Sequence, residues 1–203
     1  LVEYVYANFA GYKLARNLKE AGAYVTLAWV WKQLCDNGYV FDTLEFRTTL
    51  ATPYFSTFGL ALRAAEAKTI LFDSKINAIA IDNTDRGMFY GIAALKTFDH
   101  VTFATDGTHE PVVENVVDLR GFVESNRSYG AGPYYFSDLL QDSKGIEEVI
   151  WFDTMINTGA EKAGLIDLEA LNGCTGVKKI TLNAPLTAIA KNAFKSCTSL
   201  ATI

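Results

Sequence analysis

One short pattern recurs along this chain: an apolar residue, two others, a second apolar residue, one other, and a third apolar residue. It reads Phe41-Asp42-Thr43-Leu44-Glu45-Phe46, then Ala67-Lys68-Thr69-Ile70-Leu71-Phe72, then Phe98-Asp99-His100-Val101-Thr102-Phe103. It continues as Ile146-Glu147-Glu148-Val149-Ile150-Trp151 and Val177-Lys178-Lys179-Ile180-Thr181-Leu182, and opens again at Leu200 and Ile203. Between second apolar positions the steps are 26, 31, 48, 31 and 23 residues. Steps of that size mark stacked arrays, in which each unit buries its apolar edge only against its neighbours.

Side chains alternate along a strand, so the second and third apolar residues share one side and the residue between them takes the other. Parallel stacking of such strands gives a sheet with one core face and one open face. This register puts Glu45, Leu71, Thr102, Ile150 and Thr181 on the open face, with Arg47, Asp73, Ala104, Phe152 and Asn183 one pleat further on. Leu71, Ile150 and Phe152 are apolar where a solvated face is polar. Either a further layer covers them or they form a binding patch.

The last two units agree beyond the motif. Cys174-Thr175-Gly176-Val177-Lys178-Lys179-Ile180 aligns with Cys197-Thr198-Ser199-Leu200-Ala201-Thr202-Ile203 at an offset of 23 residues. The motif resembles the leucine-rich repeat family, whose unit runs L-x-x-L-x-L and gives one strand to a curved parallel sheet. More narrowly, AIAKNAFKSCTSLATI, from Ala188 to Ile203, is similar to the BspA-like form, in which a second short strand precedes an N-A-F-x-x-C turn. The likeness is close over 186–203, fair over 166–182, and elsewhere reduces to the strand motif. Ile76-Asn77-Ala78-Ile79-Ala80-Ile81 parallels Leu186-Thr187-Ala188-Ile189-Ala190, followed by an inserted Asp82 to Gly87.

The resemblance implies an α/β repeat: a leucine-rich-repeat solenoid of short parallel strands. It also implies a secreted or cell-surface protein that adheres to proteins of a host or a neighbouring cell.

Residues 1–40 do not share the motif. Val2, Val5, Tyr6, Phe9, Tyr12 and Lys13 make one helical stripe, and Tyr24, Leu27, Ala28, Trp31, Leu34 and Cys35 a second that ends at Asn37-Gly38. Two amphipathic helices suit an N-terminal helical cap over 1–40; otherwise Trp29, Trp31 and the tyrosines present a partner surface. Irregular repeats then fill 41–203, with a helix expected from Pro53 to Lys68. The 48-residue step is read as an insertion at 104–145. It holds a turn at Asp106-Gly107, a strand or short helix at Val112 to Phe122, and a Gly- and Pro-bearing loop from Asn126 to Phe136. Tyr129, Tyr134 and Tyr135 in that loop are the first candidates for contact with a partner; the other reading is that they pack over the gap.

A net charge of −5 and a pI near 5.1, without clustered Lys and Arg, argue against a nucleic-acid groove or a polybasic membrane patch. Apolar runs such as Ala21 to Trp31 fall short of the roughly 18 residues that span a bilayer. Leu1-Val2-Glu3-Tyr4 lacks the pattern of a signal peptide, so an export signal is expected upstream or already removed. The absence of a polar cap at Ile203 points to a longer array.

Three cysteines are an odd number. Cys174 and Cys197 occupy equivalent positions, which fits small buried residues of a ladder, with a disulfide between adjacent units as the alternative.

His100, Asp106, His109 and Glu110 are the one concentration of acid, base or metal-binding groups, and their spacing matches no motif with a mechanism. Asp82-Asn83-Thr84-Asp85-Arg86-Gly87 puts Arg86 where a calcium loop needs an oxygen. Gly130-Ala131-Gly132-Pro133 lacks the third glycine of a dinucleotide site. The expectation is a non-catalytic protein-interaction or adhesion module with no cofactor or metal, using Tyr129, Tyr134, Tyr135, Phe152, Ile150 and Leu71. A self-associating spacer or filament unit is the alternative, and a hydrolase using the 104–145 stretch a third reading.

Overall fold

The structure, a computed structural model, describes residues 42–46, 67–74, 78–79, 91–121, 123–124, 139–152, 165–166, 169–183, 186 and 188–203. Six parallel strands form one sheet, in the order β1 (Thr43–Phe46), β2 (Thr69–Asp73), β4 (Thr97–Val101), β5 (Val116–Asp118), β7 (Glu148–Ile150) and β9 (Lys179–Thr181). Two smaller parallel pairs join β3 (Ala78–Ile79) to β6 (Val123–Glu124) and β8 (Leu165–Ile166) to β10 (Ala188–Ile189). β3 and β10 fall inside the two short stretches that parallel each other in sequence. Among the described residues there is no helix, and so none long and apolar enough to cross a membrane. The proposed cap at 1–40 and residues 53–66 of the helix expected from Pro53 to Lys68 lie outside the described residues, while Ala67 and Lys68, at its expected end, are not helical.

The strand motif acts as its chemistry requires. Leu44, Ile70, Phe98, Val117, Val149 and Ile180 stand in cross-strand register and are all buried. Ala67, Leu95, Ile146 and Val177, three residues before their strand partners, make a second buried row. Phe72 and Phe98 meet with tilted rings 5.4 Å apart, and Trp151 meets Phe152 edge to face at 5.5 Å. In the last unit Phe194 and Leu200 are half-buried against this core, while Lys191 and Lys195 are exposed.

The third unit departs from the expected register. Ile70 pairs with Phe98, and Val101 pairs with Asp73. Leu95-x-x-Phe98 and Phe98-x-x-Val101 have the same spacing, so periodicity cannot choose between them. Backbone geometry can: the N–H groups of Lys96 and Thr97 both donate to the Lys68 carbonyl, at 2.9 and 3.0 Å. The same fork recurs from Lys68 and Thr69 to Asp42, from Glu147 and Glu148 to Asn115, from Lys178 and Lys179 to Glu147, and from Ala201 and Thr202 to Lys178. In the gap of this ladder the N–H of Asn115 donates to Thr97 Oγ1 at 3.0 Å.

β5 is a second departure, because part of the stretch read as an insertion at 104–145 supplies a central strand. Its unit runs Glu114-x-x-Val117-x-Leu119, with Val117 and Leu119 buried. A glutamate in the first apolar position hides the motif.

A second ladder runs through the turns. Cys174 and Cys197 are free thiols, donating to the carbonyls of Leu140 (3.0 Å) and Leu171 (3.1 Å), and Ser143 Oγ repeats the bond to Ile92 at 3.1 Å. The residue before each, Asp142, Gly173 and Ser196, has a positive φ of 65°, 80° and 63°. Gly91 N–H reaches the Gln141 carbonyl directly, while β3 pairs directly with β6. The β4 unit therefore shares a turn layer with the β7 unit, and β2 and β5 share the small back sheet.

Candidate binding cleft on the open sheet face

The open face carries Glu45, Leu71 and Asp99 in register across β1, β2 and β4, and Asp118, Ile150 and Thr181 across β5, β7 and β9. Pairing of Phe98 with Val117 joins the two sets, so Asp99 and Asp118 are cross-strand neighbours. The three-residue shift puts Asp99 in the place expected for Thr102.

After β4 the chain leaves the sheet as a tight excursion. Phe103 bridges His109 antiparallel, and the Ala104 N–H donates to the Thr108 carbonyl at 2.7 Å. At its tip Asp106 accepts from the Thr108 N–H (3.0 Å) and hydroxyl (2.8 Å), bonds that hold its carboxyl below the usual range. Gly107, at φ 90°, supplies the left-handed turn. At the base, Glu110 Oε1 accepts from the Thr102 N–H at 2.9 Å, and the Thr102 and Ser74 hydroxyls lie 3.1 Å apart. His109 Nε2 stands 3.8 Å from Glu45 Oε1, so the excursion reaches β1.

Between this excursion and β4, β5 and β7 lies a cleft of about 460 Å³. Asp99, Glu110 and Asp118 supply its carboxylates, Arg120 its guanidinium, and Val113, Val116 and Ile150 its apolar wall; His100 and Gly121 complete the lining. Arg120 closes a fork on Asp118: Nε lies 3.0 and 3.1 Å from the two carboxylate oxygens and Nη2 lies 2.6 Å from Oδ2. Gly121 has φ 80°, and a β-carbon there would stand 2.5 Å from His100 Nδ1, so glycine lets the chain pass over the imidazole. Burial pushes the Asp99 carboxyl up, with Asp118 and Glu110 adding to the rise; the His100 N–H, 2.7 Å from Oδ1, opposes it.

Of the residues singled out in the sequence, Ile150 lines this cleft, while Leu71 and Phe152 are buried at 1% and 2% and present almost no surface. Tyr129, Tyr134 and Tyr135 lie outside the described residues. His100 and Glu110 meet at the cleft, whereas Asp106 serves the hairpin tip and His109 turns to Glu45. Among the described residues no three His, Cys, Asp or Glu side chains converge as a metal site. Asp99, Asp118 and Arg120 escaped the sequence reading, although a register through Phe98 and Val117 aligns both aspartates. Compared with family models, curated proteins and solved structures, the chain matches none.

Proposed function

We propose that this chain is a non-catalytic protein-recognition module, a leucine-rich-repeat solenoid of the BspA-like kind, that holds a protein partner on the open face of its parallel sheet. The observation that carries the reading is the row Glu45, Leu71, Asp99, Asp118, Ile150 and Thr181 in register, covered at Leu71 and opening as a cleft at Asp99, Asp118 and Ile150. Recurring backbone forks and the Ser143, Cys174 and Cys197 ladder support the repeat architecture. By resemblance, the module works outside the cell or on its surface, and its partner is a surface protein of a host or neighbouring cell.

Photo-crosslinking tests this. A photoreactive residue at Thr181, on the open face, is expected to capture a surface protein of neighbouring cells, and one at Lys195, on the turn edge, is not. Capture from Lys195 alone, or from neither, contradicts the proposal.

A second reading, end-to-end self-association, is favoured by the exposed Leu186, Ile189 and Ile203 of the last unit. Light scattering over a concentration series decides it: a mass that stays monomeric removes self-association, and one that rises supports it.

A further inference from the structure

The cleft joins two features that one ligand chemistry satisfies together. Among the described residues its three carboxylates face one guanidinium, that of Arg120, which forks onto Asp118. Asp99 and Glu110 have no ion-pair partner among the described residues. Beside them Val113 is 68% exposed, and Val116 and Ile150 are half-buried. A volume of about 460 Å³ falls within the roughly 300–1,000 Å³ typical of ligand pockets. A ligand with an aliphatic stem and a cationic head matches both wall and floor. An anion would meet three carboxylates.

We propose that this cleft seats a lysine or arginine side chain of the protein partner, the stem along Val113, Val116 and Ile150 and the cation against Asp99 and Glu110. This rests on the recognition reading above and names the chemistry of the partner. Arg120 has a positioning part, because its fork fixes Asp118 at one side of the seat and keeps that carboxylate from drawing the cation away.

Binding is linked to pH. Asp99 is faced by Asp118, with its Arg120, from β5, by Glu110 from the hairpin and by His100 on its own strand; on the β2 side its neighbour is Leu71. Burial disfavours the charged form of Asp99, and a bound cation favours that form. Affinity therefore falls as pH drops through the raised value.

The test is an NMR titration of the full chain with a capped Gly-Lys-Gly peptide and with its norleucine counterpart, which keeps the stem and removes the charge. The lysine peptide is expected to shift the amides of Asp99, Glu110, Asp118 and Ile150, with an affinity on the order of millimolar for a single side chain. The norleucine peptide and the Glu110→Gln protein should each bind about 10-fold more weakly, as should the native pair at about 1 M salt, where charges are screened within roughly 3 Å. Asp99→Asn should flatten the pH dependence.

Equal binding by the two peptides overturns the proposal. So does unchanged lysine binding in a correctly folded Asp99→Asn, Glu110→Gln double variant. If the cleft ignores the lysine peptide while Thr181 still crosslinks a partner, this seat is wrong and the recognition reading stands. If lysine binds but no crosslink forms, the recognition reading is the one that falls.

Discussion

Ile70 on β2 stands in register with Phe98 on β4, three residues before the valine that the recurring motif puts there. That pairing sends Phe98 into the central core, where its ring meets Phe72, while Val101 is buried outside that cluster.

Truncating each residue should separate the two registers. Phe98→Ala is expected to cost about 3–5 kcal/mol, the range for an aromatic lost from a packed core. Val101→Ala removes less apolar surface and should cost less than about 2 kcal/mol. Urea unfolding of both variants measures this, and a larger loss at Val101 would restore the alternative register.

The strands β1, β2, β7 and β9 were legible because each unit keeps all three apolar positions, as in Val177, Ile180 and Leu182. β4 was ambiguous because Phe98 can end one triplet or begin the next, and only the carbonyl of Lys68 decides. β5 was legible only as a strand or short helix within Val112 to Phe122, because Glu114 breaks the apolar triplet that would have placed it in the sheet. The cleft was therefore out of reach, since Asp99 and Asp118 become neighbours only once β4 and β5 are both placed. The turn cysteines were legible as a ladder, because their 23-residue spacing matches the stacking of whole units.

Gly176 tests that stacking without interference from backbone strain. A β-carbon there would press on the carbonyl oxygens of Lys144 and Ile146 in the preceding unit, the second only 2.8 Å away. Gly176→Ala should lose about 1–3 kcal/mol, as overpacking does. Ser199, at the equivalent position of the last unit, is exposed, and Ser199→Ala should stay within about 0.5 kcal/mol.

Burial raises both turn thiols, most at the fully buried Cys174. Alkylation mapped by mass spectrometry should therefore label Cys197 slowly in the native protein and Cys174 only after unfolding. Cys174→Ser should keep the bond to the Leu140 carbonyl, as Ser143 does to Ile92, and cost less than Cys174→Val, which has no donor.

Asp99 gives stability a pH dependence of definite sign. Its folded carboxyl titrates above the unfolded value of 3.8, so the native state binds the extra proton between the two values and stability falls as pH rises through that window. Asp99→Asn should be more stable than the native chain at neutral pH and equal to it in acid below the window. A variant less stable at neutral pH would mean the carboxylate is compensated in the native protein.

The order of the six strands underlies the open face and can be measured directly. Thr43 and Lys179 lie on that face in the first and last strands, separated by five strand-to-strand gaps. Spin labels at the two positions should give a pulsed electron–electron resonance distance centred near roughly 24 Å, from gaps of about 4.8 Å each. A centre near roughly 19 Å, one gap shorter, would mean β5 is not part of the sheet, and a broad distribution with no defined centre would contradict the parallel stack altogether.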